Sequence, residues 1–252
     1  MSKVPVGYTR FLSSGADVVA LGACADAVRR ALGARSLYAY AATHPTRREL
    51  RGRGIAYAVT LPDDETRVVV RHSRHGGMLA PLTGDRFLPP TRAPRELEVA
   101  LHLARVGIPT PEVVAYATYP AGVGLLRSDV ATREVVGGRN LVELLATVSA
   151  AAERADVFDA TVALLRALET AGARHPDLNL ANVLIVPGHA STPSAVVLDV
   201  DRIVFGAPGN SRIGAANVRR LVRSALKLRA SGRIVATAEE IAGLAAGAGH
   251  PA

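Results

Sequence analysis

The 252-residue chain has no tryptophan, a single cysteine, Cys24, and only 4% aromatic residues. One cysteine builds neither a disulfide framework nor a cysteine-ligated zinc site within the chain, which suits a reducing compartment. Aromatics this scarce, and not interleaved with the basic residues, weigh against a surface that stacks nucleic-acid bases. Also lacking is an uncharged apolar run of the roughly 18 residues that a membrane span needs. A short apolar stretch from Asp17 to Cys24 ends in a faint lipoprotein-like box, but Asp17 breaks it, so no export signal is expected. What is present is 49% hydrophobic residues, ample for a packed core, and 30 basic against 22 acidic residues. The resulting formal charge of +8 points to an anionic partner such as nucleotide, nucleic acid or acidic lipid.

Residues 16–32 read as an amphipathic helix without chemistry. Further on, Gly52 and Gly54 precede an apolar strand ending at Thr60, and residues 61–65 turn into a second strand over 66–70. This is a β-hairpin opened by a glycine-rich loop. Such a loop lets backbone N–H groups approach phosphates, or it is simply a turn. The cluster Arg71-His72-Ser73-Arg74-His75-Gly76-Gly77 follows, either facing an anion or forming a solvated charged turn. Residues 91–107 read as a helix with Pro94 in its first turn and Gly107 as its stop. Glu96 lies at the margin of its apolar face, whereas Glu98 falls beside His102 and Arg105. Glu96 is therefore the acid placed to pair with a buried cation.

More strands are expected over 112–117 and 124–136, with Gly137-Gly138 as the boundary between two lobes, 1–136 and 137–252. Asn140 and Glu143 resemble a capping box that opens a helix through about Val148. A second helix over 156–170 ends at Gly172. A third, over 214–230, turns Val218, Leu221, Val222 and Ala225 one way and carries Arg219, Arg220, Arg223 and Lys227 on the rest. Its basic rim is either a solvated edge or a contact for anionic lipid or a lipid-linked substrate.

The chemistry concentrates in His175-Pro176-Asp177-Leu178-Asn179-Leu180-Ala181-Asn182, followed by an apolar strand and then Val196-Val197-Leu198-Asp199-Val200-Asp201. A carboxylate and a carboxamide at D-x-x-x-x-N spacing, with a later acid closing a second strand, match the order in protein-kinase-like phosphotransferases. There the first Asp receives the proton of the acceptor hydroxyl, while the Asn and the second Asp hold Mg²⁺ beside ATP. These roles fall on Asp177, Asn182 and Asp199. Asp201 competes with Asp199, because alternate positions of a strand share a face, and His175 reads as a structural hydrogen bonder. Strands first and helices later give an α+β, two-lobed protein-kinase-like fold: a mainly antiparallel N-terminal sheet with one helix, then a mainly helical lobe. Pro176, Asn179 and the lack of an A-P-E segment depart from protein kinases, so no activation-loop switch is expected.

Taken together, Gly52-Arg53-Gly54, the basic segment from Val70 to Gly77, Thr91-Arg92 with Glu96, the D-L-N-x-x-N loop, Asp199-Val200-Asp201-Arg202 and the basic run from Asn217 to Lys227 resemble the lipopolysaccharide kinase family. The resemblance covers about residues 50–230. It implies ATP-dependent phosphorylation of a hydroxyl of 3-deoxy-D-manno-octulosonic acid (Kdo) on a lipid A precursor, at the cytoplasmic face of the inner membrane. It also implies that Gly52 and Gly54 line the nucleotide and that Arg71 takes the position of the nucleotide-pairing lysine, with Glu96 as its partner. The expected partners are thus nucleotide, a lipid-linked sugar and an anionic membrane surface, and not nucleic acid. Two alternatives stay open: a phosphotransferase of the same fold for another small molecule or a protein, and a pseudokinase.

Overall fold

Short β-branched runs separated by glycine turns dominate the first half of the chain, and they pair into one antiparallel sheet. The structure, a computed structural model, describes residues 4–33, 35–51, 54–74, 84–148, 150–188 and 192–250. The chain forms two compact units, Met1–Glu98 with Glu112–Glu134, and Val99–Pro111 with Val135–Ala252.

The first unit holds a seven-stranded sheet in the order β1-β2-β6-β7-β5-β4-β3. Its strands are β1 (Tyr8–Ser13), β2 (Ala16–Leu21), β3 (Arg48–Arg51), β4 (Ile55–Thr60), β5 (Arg67–His72), β6 (Val113–Pro120) and β7 (Leu126–Arg133). The expected hairpin is β4–β5, with Ala56 opposite Arg71 and Thr60 opposite Arg67. Helices α1 (Ala25–Leu32) and α2 (Leu37–Thr43) cover one face, where Val18, Ala20, Val28, Leu32, Leu37, Val59, Val68 and Val70 form a buried core. The unit therefore carries more helix than the one expected.

The helix expected over 16–32 is corrected: its first six residues are strand β2 and only Ala25–Leu32 is helical. Ser14 and Gly15 both have positive φ (49° and 78°), the geometry of a two-residue hairpin turn whose twist matches its strands. Pairing with β1 on one side and β6 on the other then outweighs the helical periodicity of an alanine-rich segment. Helix α3 (Ala93–Arg105) follows the sheet's fifth strand in sequence, and Gly107, with φ of 75°, allows the turn that follows it.

The second unit is mainly helical. It contains β8 (Arg139–Asn140), α4 (Leu141–Thr147), α5 (Ala151–Thr170), β9 (Ala173–Arg174), β10 (Val183–Val186), β11 (Ser194–Val197), β12 (Val204–Phe205), α6 (Ser211–Ala230) and α7 (Ala238–Gly247). The Asn140 side chain accepts the Glu143 N–H at 2.9 Å, which caps α4 as its sequence suggests. Helix α5 begins five residues before the expected Asp156, because Ala151-Ala152-Glu153-Arg154-Ala155 are strong helix formers. It ends at Gly172, whose φ is 65° and where an added Cβ would lie 2.5 Å from the Gly206 carbonyl oxygen. That close approach admits only glycine, and it fixes how the chain turns from α5 into β9 and the loop beyond.

Candidate active site

Strand alternation puts neighbouring residues of β5 on opposite faces of the sheet, and so separates Arg71 from His72. Arg71 forms an ion pair with Glu96 of α3, so the structure brings these two predicted residues together. Glu96 is only 4% exposed, and burial of that kind is tolerated when a carboxylate is paired with a guanidinium. Gly54 lies in the turn before β4, with no atom within 4 Å of an added Cβ and no positive φ. Its backbone thus does not require glycine's special dihedrals; what glycine supplies at this point is open space. Gly52, Arg53 and His75-Gly76-Gly77 lie outside the described residues.

On the opposite face His72 is held between two acids. Its Nδ1 lies 2.5 Å from Asp129 Oδ1 and its Nε2 3.0 Å from Asp85 Oδ2. With a carboxylate at each nitrogen, both must donate, so the ring is an imidazolium. The hydrogen bond to Asp129 raises the His72 pKa above its ordinary value, against the opposing effect of burial. Asp129 is fully buried and its second oxygen accepts the Tyr38 N–H at 2.9 Å. Within the basic cluster read as either anion-facing or solvated, His72 faces the protein's own carboxylates: it is an internal cation that ties β5 to β7 and α2.

In the second unit the residues from His175 to Asn182 form a loop stitched to itself. Asn182 Nδ2 donates to the backbone carbonyl of Asp177 at 2.9 Å, and Asn179 Nδ2 donates to the same oxygen at 2.9 Å. Asn179 Oδ1 in turn accepts the Ala181 N–H at 3.0 Å, capping the 3-10 turn Leu180–Asn182. These bonds fix the Asp177 main chain while its half-buried side chain projects from a rigid loop. His175 is completely buried. Its Nε2 lies 3.0 Å from the Leu198 carbonyl oxygen, and its Nδ1 3.2 Å from the Asp177 N–H. A carbonyl only accepts, so Nε2 carries the proton and Nδ1 accepts the hydrogen bond from the Asp177 N–H. The imidazole thereby joins the Asp177 loop to the residue just before Asp199, and serves as the structural hydrogen bonder that its position suggested.

Strands β10 and β11 bring the other two predicted residues to one end of a ladder. Val183 pairs with Val197, and one step further the Leu198 N–H donates to the Asn182 carbonyl at 2.9 Å. Asn182 and Asp199 flank that last rung. Asp199 is exposed and adopts the left-handed conformation, φ 57° and ψ 49°, a state that costs a non-glycine residue about 1 kcal/mol. Local strain of this sort concentrates at functional positions. Strand alternation gives Asp201 no claim to the same face, because β11 ends at Val197 and Val200–Arg202 form a 3-10 turn.

The donor set suits a hard divalent cation. Asn182 spends its amide nitrogen on Asp177, so its Oδ1 is the atom suited to a cation, and Asp199 is an exposed residue with a carboxylate. A carboxamide and a carboxylate oxygen, with phosphate and water oxygens completing an octahedron, are what Mg²⁺ takes. No group of three or more His, Cys, Asp or Glu side chains that could hold a metal ion is found among the described residues.

Two supports on α6, one buried and one half-buried, were not legible in the sequence. Asn217 of α6, completely buried, accepts the His175 N–H at 2.9 Å and donates to the Ala173 carbonyl at 2.8 Å. Ser224 Oγ accepts the Leu180 N–H at 3.3 Å. A polar residue on the buried face of an amphipathic helix was the available signal.

The profile of the lipopolysaccharide kinase (Kdo/WaaP) family matches residues 40–246. Among curated proteins, the 3-deoxy-D-manno-octulosonic acid kinase of Xanthomonas oryzae pv. oryzae is 32% identical over 182 residues, covering 71% of this chain and 68% of that protein. The protein of the same name from Vibrio parahaemolyticus is 26% identical over 177 residues, covering 69% of each. Among solved structures, WaaP in complex with acyl carrier protein superimposes with a TM-score of 0.54 at 15% identity, over 88% of this chain and 81% of that one, a likeness of fold.

Proposed function

The chain belongs to the lipopolysaccharide kinase (Kdo/WaaP) family, and from that premise we propose that it transfers the terminal phosphoryl group of ATP to a hydroxyl of Kdo in the lipopolysaccharide inner core. The relatives that bear the name Kdo kinase support the choice of acceptor. The observation that carries the chemistry is the Asp177 loop, where Asn182 and Asn179 both clamp the Asp177 carbonyl and leave the carboxylate on a rigid support.

In this reading Asp177 accepts a hydrogen bond from the acceptor hydroxyl, aligns its oxygen for attack and receives its proton as the new P–O bond forms. ADP leaves with the electron pair of the broken bond. Phosphoryl transfer needs little covalent help from the protein, so positioning and charge do most of the catalysis. Arg71, steadied by Glu96, pairs with the nucleotide phosphates; its forked guanidinium makes two directed bonds where a lysine would make a point contact. Gly52 and Gly54 let the main chain approach those phosphates. Asn182 Oδ1 and the Asp199 carboxylate would hold Mg²⁺, which when bound offsets charge on the phosphate oxygens.

The acceptor sugar is attached to lipid, so the enzyme meets it at the cytoplasmic face of the inner membrane as a peripheral protein. No helix of the described residues is long and apolar enough to cross a membrane.

The experiment is incubation of the purified protein with ATP, Mg²⁺ and a Kdo-bearing lipid A precursor, with a protein acceptor in parallel, read by mass spectrometry. Addition of one phosphate to the Kdo residue of the lipid alone is expected. Phosphate found only on protein, or on the lipid A disaccharide of a precursor lacking Kdo, would overturn the assignment.

A further inference from the structure

Helix α6 has a use for its outer face that its support of the Asp177 loop does not explain. Between Asp201 and Glu239 the sequence holds no acidic residue, while Arg202, Arg212, Arg219, Arg220, Arg223, Lys227, Arg229 and Arg233 are eight basic ones. Outside this segment the other 22 basic residues balance the 22 acidic ones. The entire formal excess of the chain is therefore concentrated in α6 and its two flanks.

Within α6, Arg212, Arg219, Arg223 and Lys227 recur at spacings of seven, four and four residues, which aligns them in one stripe along the helix. Arg220 lies at its edge. All are exposed, and none forms an ion pair among the described residues. The acids closest to the ends of α6 are engaged elsewhere. Glu169 of α5 pairs with His250 beside Gly214, on another side of the helix. Glu240 of α7 pairs with Arg154, and Glu239 is held at the Thr237 cap of its own helix. Leu226, 45% exposed, and Ala230 sit next to the stripe and add an apolar margin. Cationic groups left without an ion pair along about four turns, with an exposed leucine beside them, form a surface complementary to an anionic plane rather than to a single small ion.

The edge of α6 that touches the Asp177 loop adjoins this stripe. Ser224 holds Leu180, and its neighbours one turn away on the helix surface are Arg220 and Lys227. We propose that the α6 stripe is a docking surface for an anionic phospholipid bilayer, and that docking there sets the Asp177 loop at the level of lipid headgroups. The proposal rests on the reading of the acceptor as lipid-linked, but its test needs neither acceptor nor nucleotide.

The full chain is sedimented with vesicles of phosphatidylglycerol and phosphatidylcholine, and with phosphatidylcholine alone, at low and high salt. The variant Arg219→Gln/Arg223→Gln/Lys227→Gln is compared with a charge-matched control, Arg29→Gln/Arg47→Gln/Arg105→Gln, whose residues are also exposed. At about 1 kcal/mol for each basic residue near an anionic surface, the stripe variant is expected to lose on the order of 100-fold in partition to the anionic vesicles. The control loses much less, and high salt releases the wild type. Equal loss in the two variants would mean that net charge alone drives binding and would overturn the proposal. So would unchanged vesicle binding in the stripe variant together with reduced phosphorylation of a detergent-dispersed acceptor, which would assign the arginines to phosphates of the substrate. Failure of the kinase assay with vesicle binding intact would overturn the acceptor assignment and leave the docking surface standing.

Discussion

His72 shows how much a single side chain decides in the first unit. Its imidazolium sits 2.5 Å from the buried Asp129 carboxylate and 3.0 Å from Asp85, and its pKa is raised in the folded protein. A group whose folded pKa lies above its unfolded value stabilises the fold fully below the unfolded pKa, about 6.5 for histidine, and loses that contribution as pH rises through the folded value. The wild type should therefore lose thermal stability as pH rises from about 6.5 through the raised pKa. His72→Gln should be less stable below the raised pKa and lack that slope, which thermal unfolding across a pH series would reveal; a parallel slope in the variant would contradict the assignment. The pairing was hidden in the sequence because His72 and Asp129 meet only as cross-strand neighbours of β5 and β7. By contrast, Asp177 and Asn182 could be singled out because the D-x-x-x-x-N spacing is fixed along a short loop, whereas the clamp that Asn179 adds was not read from the sequence. Glu96 was legible because helix periodicity places it at the edge of an apolar face, and Arg71 as its partner through the resemblance to the family.

At the scale of elements, α6 carries two duties. Its inner edge supports the Asp177 loop through Asn217 and Ser224, and its outer face displays the cationic stripe. Asn217→Ala removes the partner of both the His175 N–H and the Ala173 carbonyl, and each buried group left unpaired costs about 1–3 kcal/mol. The variant should be destabilised by about 2 kcal/mol or more in denaturant titrations, and Asn217→Asp, which keeps the acceptor for His175, should recover part of that loss. A change within about 0.5 kcal/mol would show that the loop does not lean on α6. Helices α3 and α4 were legible from their caps and periodicity, and so was most of α6. The segment 16–32 misled, because alanine suits a helix and the Ser14-Gly15 turn that makes Ala16–Leu21 a strand leaves only a brief signature. Helix α7 was overlooked although Thr237 and Glu240 form a full capping box; its alanines and glycines give a weak amphipathic pattern.

For the whole molecule, membership of the lipopolysaccharide kinase family sets the class of reaction, and the fold agrees with it in having an antiparallel sheet early in the chain and helices later. The composition that first suggested only an anionic partner resolves into a charge-balanced chain with one cationic segment. Acceptor choice was not legible in the residues alone, since no short spacing encodes recognition of a sugar, and it came from resemblance to whole sequences. The central claim is that Asp177 receives the proton of a Kdo hydroxyl. It is tested by comparing phosphate transfer to a Kdo-bearing lipid A precursor by the wild type and by Asp177→Asn, which preserves the backbone carbonyl that Asn179 and Asn182 clamp. Loss of a general base should reduce the rate about 100- to 10,000-fold with thermal unfolding unchanged. Transfer at the wild-type rate by a folded Asp177→Asn protein would contradict it.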